Sequence, residues 1–94
     1  MDKELKDYLI KLGLSEKQIN EMIKNVPHFV MLTFEIAKEN IEVLCQYGFP
    51  IEDVDMLIFS NPAILLTSPE DLSEDLASLG DNVEEILKED PFAI

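Results

Sequence analysis

His28 and Cys45 are the only histidine and the only cysteine among the 94 residues, so any nucleophile, general base or transition-metal site would have to be built on them. A single histidine cannot form a two-histidine metal site, and His28 follows Pro27 at a corner of the chain, where it reads as a surface or packing side chain. Cys45 stands beside Val43 and Leu44 at helical core spacing, and nothing in the sequence brings it to His28. A cysteine in that setting is expected to be inert and buried, like a small hydrophobe. Carboxylates occur in groups, Glu52-Asp53-Asp55, Glu70-Asp71, Glu74-Asp75 and Glu84-Glu85, the raw material of glycoside hydrolysis or calcium binding. The Asp-x-Asp-x-Asp-Gly order of a calcium loop is absent, however, and acids in the first turn of a helix are accounted for by the helix dipole. No glycine-rich phosphate loop is present. These residue types point away from an enzyme, and neither cofactor nor metal is expected.

Charge gives a stronger signal. The chain carries 20 acidic and 7 basic residues, a formal net charge of −13, and every base is a lysine. Six lysines fall before Glu39, where six acids offset them, whereas Glu39 to Leu87 holds twelve acids and no base. An anionic surface of this kind repels phosphate backbones and favours basic partners. No apolar run approaches the roughly 20 residues needed to cross a bilayer, and the charged segment Met1 to Tyr8 is unlike a secretory signal. With one cysteine and no possible internal disulfide, the expected address is cytoplasmic, with no membrane association.

The elements that would position these groups are helical. Leu5, Tyr8, Leu9 and Leu12 recur at helical spacing and predict a helix over Asp2 to Leu12. Ser15 with Gln18 is a capping box, Leu14 with Ile19 its hydrophobic staple, and Ile19, Met22, Ile23 and Val26 then share one face. Pro27 ends that helix and opens a short apolar turn, because its ring disfavours helical geometry at the preceding residue. A further helix from Phe34 to Tyr47 is predicted to bury Ala37, Ile41, Leu44 and Cys45. Met22, Met31, Met56, Phe29, Phe34, Phe49 and Phe59 are expected to fill the core.

The same grammar recurs at an offset of 35 residues. Gly13 matches Gly48, Leu14 Phe49, Ile19 Val54, Ile23 Ile58, Pro27 Pro62, Thr33 Ser68, Ile41 Leu76 and Leu44 Leu79. A third, shortened copy begins at Gly80, with Val83 and Pro91 at the eight-residue spacing of Ile19 to Pro27. The glycines are placed as helix stops and the prolines as corners. Leu57 to Ser60 and Ile64 to Thr67 are apolar enough to mimic strands, but their proline and periodic context predicts helix. Neither copy could bury its apolar stripe alone, so the copies must stack. The expected fold is all-α, a short right-handed α-solenoid of about two and a half repeats. Residues 1–12 form a capping helix, 13–47 the first repeat, 48–79 the second and 80–94 a partial third, in a single domain.

Leu12-Gly13-Leu14-Ser15, Ile19, Ile23 and Val26-Pro27, and more sharply Gly48-Phe49-Pro50, Val54, Ile58, Asn61-Pro62-Ala63-Ile64-Leu65-Leu66, Ser68, Glu70, Leu72, Leu76 and Leu79, resemble the repeat of the mitochondrial transcription termination factor (mTERF) family. The resemblance implies a superhelical stack of helical motifs and nucleic-acid binding along a basic groove. This chain departs from that pattern in having few repeats, no arginine, and no base in the second repeat before Lys88. Phosphate contacts supply most non-specific affinity for nucleic acid. Here they would fall to Lys3, Lys6, Lys11, Lys17 and Lys24, of which Lys17 and Lys24 flank Glu21 at salt-bridging distance along a helix. The charge balance favours a non-enzymatic interaction module. Its acidic face, Glu70, Asp71, Glu74, Asp75, Glu84 and Glu85, would meet a protein with a basic or apolar surface, with a homodimer through the C-terminal partial repeat as a further expectation. Nucleic-acid-binding regulation of transcription is the alternative.

Overall fold

The computed structural model describes residues 1–94 and contains helices and turns only, with no strand. Six α-helices are α1 (Lys3–Leu12), α2 (Glu16–Asn25), α3 (Phe34–Gln46), α4 (Val54–Ser60), α5 (Pro69–Ser78) and α6 (Val83–Glu89). Two five-residue 3-10 segments, Pro27–Met31 and Pro62–Leu66, form the first and second corners, and a short 3-10 turn, Ile51–Asp53, leads into α4.

Local chemistry sets the boundaries. The Asp2 side chain accepts from the Glu4 N–H at the start of α1. At its end the Gly13 N–H donates to Ile10 and the Leu14 N–H to Leu9, the paired bonds of a Schellman stop, with Gly13 at φ 118°. The end of α3 repeats this arrangement, Gly48 donating to Cys45 and Phe49 to Leu44. Leu14 and Phe49, the residues just past each stop, are both buried. Ser15 and Gln18 form the predicted capping box: the Gln18 N–H donates to Ser15 Oγ at 3.1 Å and the Ser15 N–H to Gln18 Oε1 at 2.9 Å. Thr33 and Ser68 cap α3 and α5 by accepting from the N–H groups of Ile36 and Asp71, without the reciprocal bond of a capping box.

The corners share one backbone geometry. Val26 (φ −131°, ψ 82°), Asn61 (−137°, 79°) and Asp90 (−139°, 94°) each precede a proline and each leave the helical region by nearly the same path. Corresponding elements also pack on each other: α2 against α4, first corner against second, and α3 against α5, with α1 lying across α2, α3 and α4. Twenty buried apolar residues from all of these form one core. The Cα radius of gyration is 12.3 Å, close to the roughly 12 Å of a compact globule of this length. The helices therefore pack into a compact, somewhat elongated body, with principal extents of 34 × 23 × 21 Å.

Two asparagines belong to this core and escape a hydrophobic count. Asn40 lies on the α3 stripe with Ala37, Ile41 and Leu44 and is fully buried. Its Nδ2 donates to the carbonyls of Ile64, Leu65 and Thr67, at 3.4, 3.1 and 2.7 Å, tying α3 to the second corner, while its Oδ1 is buried without a partner. Asn61 Nδ2 donates to the Pro91 carbonyl at 2.9 Å and fixes the C-terminal turn.

Three expectations are corrected. Cys45 is exposed, because it follows Leu44 by one residue and so lies about 100° round the helix from the buried stripe. Met31 and Met56, expected in the core, are 78% and 71% exposed, while Met22, Phe29 and Phe49 are buried and Phe34 and Phe59 half-buried. Glu21 bridges neither Lys17 nor Lys24; the ion pairs present are Lys6–Glu16, Lys88–Asp53 and Lys88–Glu84.

Candidate functional site

The five N-terminal lysines all lie on the adjacent helices α1 and α2: Lys3, Lys6 and Lys11 on the first, Lys17 and Lys24 on the second. Gly13 and the Ser15 cap fix the turn between these helices, and Lys6 Nζ locks it from outside by pairing with Glu16 Oε1 at 2.6 Å. That pair holds the Glu16 carboxyl below its ordinary range, through the hydrogen bond from Lys6 first and its charge second. Lys6 is thereby neutralised. Lys3, Lys11, Lys17 and Lys24 are exposed and have no carboxylate within ion-pairing distance, which leaves four free ammonium groups on these two helices. Beside them Tyr8 and Phe34 meet edge to face, ring centroids 5.3 Å apart, with Lys38 Nζ 5.9 Å from the Phe34 ring centre. Partial burial, then the charge of Glu42, raises the Tyr8 phenol, so it stays protonated at neutral pH.

The acids of the expected interaction face lie on other elements, while α1 and α2 carry Glu4, Asp7, Glu16 and Glu21 of their own. Glu70, Asp71, Glu74 and Asp75 lie along α5, and Glu84 and Glu85 on α6, all exposed. The α5 face is purely anionic, whereas Glu84 is partly neutralised by Lys88, whose Nζ lies 2.7 Å from Glu84 Oε2 and 2.9 Å from Asp53 Oδ2. These two bonds raise the Lys88 ammonium above its usual value, and the one to Asp53 ties α6 to the 3-10 turn that leads into α4. Along the inner edge of α5, Ile64, Leu72, Asp75, Phe92 and Ile94 line a groove with a cavity volume of about 340 Å³.

The repeat-defining residues occupy equivalent places. Gly13, Gly48 and Gly80 all have positive φ, Pro27 and Pro62 begin the two corners, and Pro91 opens the C-terminal turn. His28 is exposed on the first corner, on an apolar surface that includes Met31 and Ile36. Cys45 opens onto a different groove, beside Tyr8 and Ile51. Partial desolvation, then Glu42 and Glu52, pushes its thiol upward, the opposite of an activated nucleophile. No group of three or more His, Cys, Asp or Glu side chains is arranged to hold a metal ion, and no helix is long and apolar enough to cross a membrane. Asn40, Asn61 and the Lys88 bridges are the structural residues that composition alone passes over. Only Asn40 carried a signal, since it interrupts an apolar stripe at helical spacing.

Comparison with known families finds a match to the mTERF family model over residues 3–89. Comparison with curated proteins and with solved structures finds no match.

Proposed function

The chain belongs to the mTERF family, and from that premise we propose that it is a non-enzymatic nucleic-acid-binding module that acts in the regulation of transcription. The carrying observation is the family match, which spans both prolines of the corners and all six helices. In this reading the chain is a short right-handed α-solenoid, with 1–12 as its cap, 13–47 and 48–79 as repeats and 80–94 as a partial third. Lys3, Lys11, Lys17 and Lys24 make the phosphate contacts. The anionic α5 and α6 turn away from the nucleic acid and orient it by repulsion. Four contacts predict modest affinity and a slope of log K against log salt of about −3, between the single-strand and duplex values. Fluorescence anisotropy with labelled single- and double-stranded DNA and RNA at low salt tests this. Binding that weakens on Lys17→Gln with Lys24→Gln is expected, and no binding at high micromolar protein would remove the reading.

A second reading is favoured by one specific feature, the twelve acids without a base from Glu39 to Leu87. In it, the Glu70 to Asp75 face of α5, with Glu84 and Glu85, binds a protein of basic or apolar surface. Charge reversal at Glu70 and Glu74 would then abolish capture of basic partners while leaving oligonucleotide binding in place.

A further inference from the structure

The groove beside α5 has a shape that the rest of the fold explains. Within the molecule, α5 lies on α3 with Leu72 and Leu76 buried, and Leu72 lines one cavity with Ile64 of the second corner. The C-terminal turn follows α6 as the second corner follows α4. Asp90 has the pre-proline geometry of Asn61, and Pro91 is bound to the second corner through Asn61 Nδ2. What α5 and this turn leave between them is an apolar trough floored by Ile64 and Leu72, which are 2% and 1% exposed, and walled by Ala63, Ile94 and the 67% exposed ring of Phe92. A helix laid there would rest on α5 as α5 rests on α3.

Charge selects the occupant. Asp75 lines the trough, and Asp71 stands one turn before it on the same helix edge. Of the bases near α5, Lys38 of the underlying α3 sits over the Phe34 ring, and Lys88 of α6 is already held by two carboxylates. A second copy of the chain would bring its own net charge of −13 to this edge and be repelled. A helix with an apolar stripe flanked by lysine or arginine satisfies both the floor and the rim. We infer that this trough docks a basic amphipathic helix of a partner protein. The inference rests on the second reading above and narrows it to one site and one kind of ligand.

The test uses the full chain and a labelled helical peptide of about 15 residues, leucines at i, i+3, i+4 and i+7 and lysines elsewhere. Its partner probe has the same composition, scrambled so that the leucines surround the helix. The ordered peptide binds, and the scrambled one binds about tenfold more weakly. Ala63→Trp fills the trough without changing charge, and Phe92→Ala removes an exposed wall; each weakens the ordered peptide by about tenfold, while Glu4→Lys on α1 changes it less than about twofold. Amide spectra of each variant confirm the fold. If both peptides bind equally, or Ala63→Trp is harmless while charge reversal at Glu70 and Glu74 weakens binding, the trough is not the site and only the acidic-face reading stands. If neither peptide binds at high micromolar concentration, both fall. A concentration-dependent dimer abolished by Ala63→Trp would overturn the basic partner in favour of a second copy.

Discussion

Individual side chains decide how much freedom the stack has. Gly13 combines a left-handed φ of 118° with a close approach: a Cβ there would lie 2.6 Å from Asp55 Oδ2, whereas one on Gly48 would meet open space. Left-handed geometry alone costs a non-glycine residue about 1–2 kcal/mol. Gly13→Ala is therefore expected to lose that and to displace the Asp55 carboxylate, and Gly48→Ala to lose the conformational cost only. Urea denaturation of the two variants should show the larger loss at position 13. Asn40 has a different kind of leverage. Asn40→Ala strips the buried carbonyls of Ile64 and Leu65 and the part-buried one of Thr67 of their donor, a loss of about 2–3 kcal/mol, partly offset by removal of the unpaired Oδ1. Glu16 links stability to function. Glu16→Gln releases Lys6 and should raise oligonucleotide affinity and steepen the salt slope by nearly one unit. Because the folded pKa of Glu16 is depressed, its contribution to stability is present above the ordinary carboxylate value and lost as pH falls through the lowered one.

Among the elements, helix starts and stops were the most legible part of the chain. Ser15 with Gln18, Thr33, Ser68, Gly13 and Gly48 each act through neighbours within five residues, so their spacing in the sequence is already their geometry. Ser15→Ala should lower stability by about 1 kcal/mol in thermal denaturation, since it unpairs one N–H of the first turn of α2. Partners 24 to 30 residues away could not be read this way. Asn40 reaching the second corner and Asn61 reaching Pro91 depend on how corners stack, which no local spacing encodes. Cys45 was misplaced for a related reason: an apolar neighbourhood in sequence does not say which side of a helix a residue faces. The Lys88–Asp53 bridge binds α6, a seven-residue helix with no side-chain cap, to the turn that leads into α4. Lys88→Gln should speed amide exchange in α6 while α1 and α3 keep their protection. With the Lys88 pKa raised, this contribution is full at neutral pH and is lost only as pH rises through the raised value.

On the scale of the whole molecule, the charge asymmetry visible in the sequence survives folding as a spatial one, with free lysines on α1 and α2 and free acids on α5. In the nucleic-acid reading proposed above, binding rests on few contacts, the free lysines of α1 and α2. Self-repulsion from a net charge of −13 should make the fold more stable as salt rises from low to physiological levels, even as salt weakens nucleic-acid binding. The opposed trends separate screening within the chain from loss of phosphate contacts. The proposal that α1 and α2 hold the nucleic acid is tested most directly by an amide chemical-shift titration of the isotope-labelled chain with a short oligonucleotide at low salt. Shifts concentrated at Lys3, Lys11, Lys17 and Lys24 and their neighbours are the predicted result; shifts confined to α5 and α6, or none at saturating oligonucleotide, would contradict it.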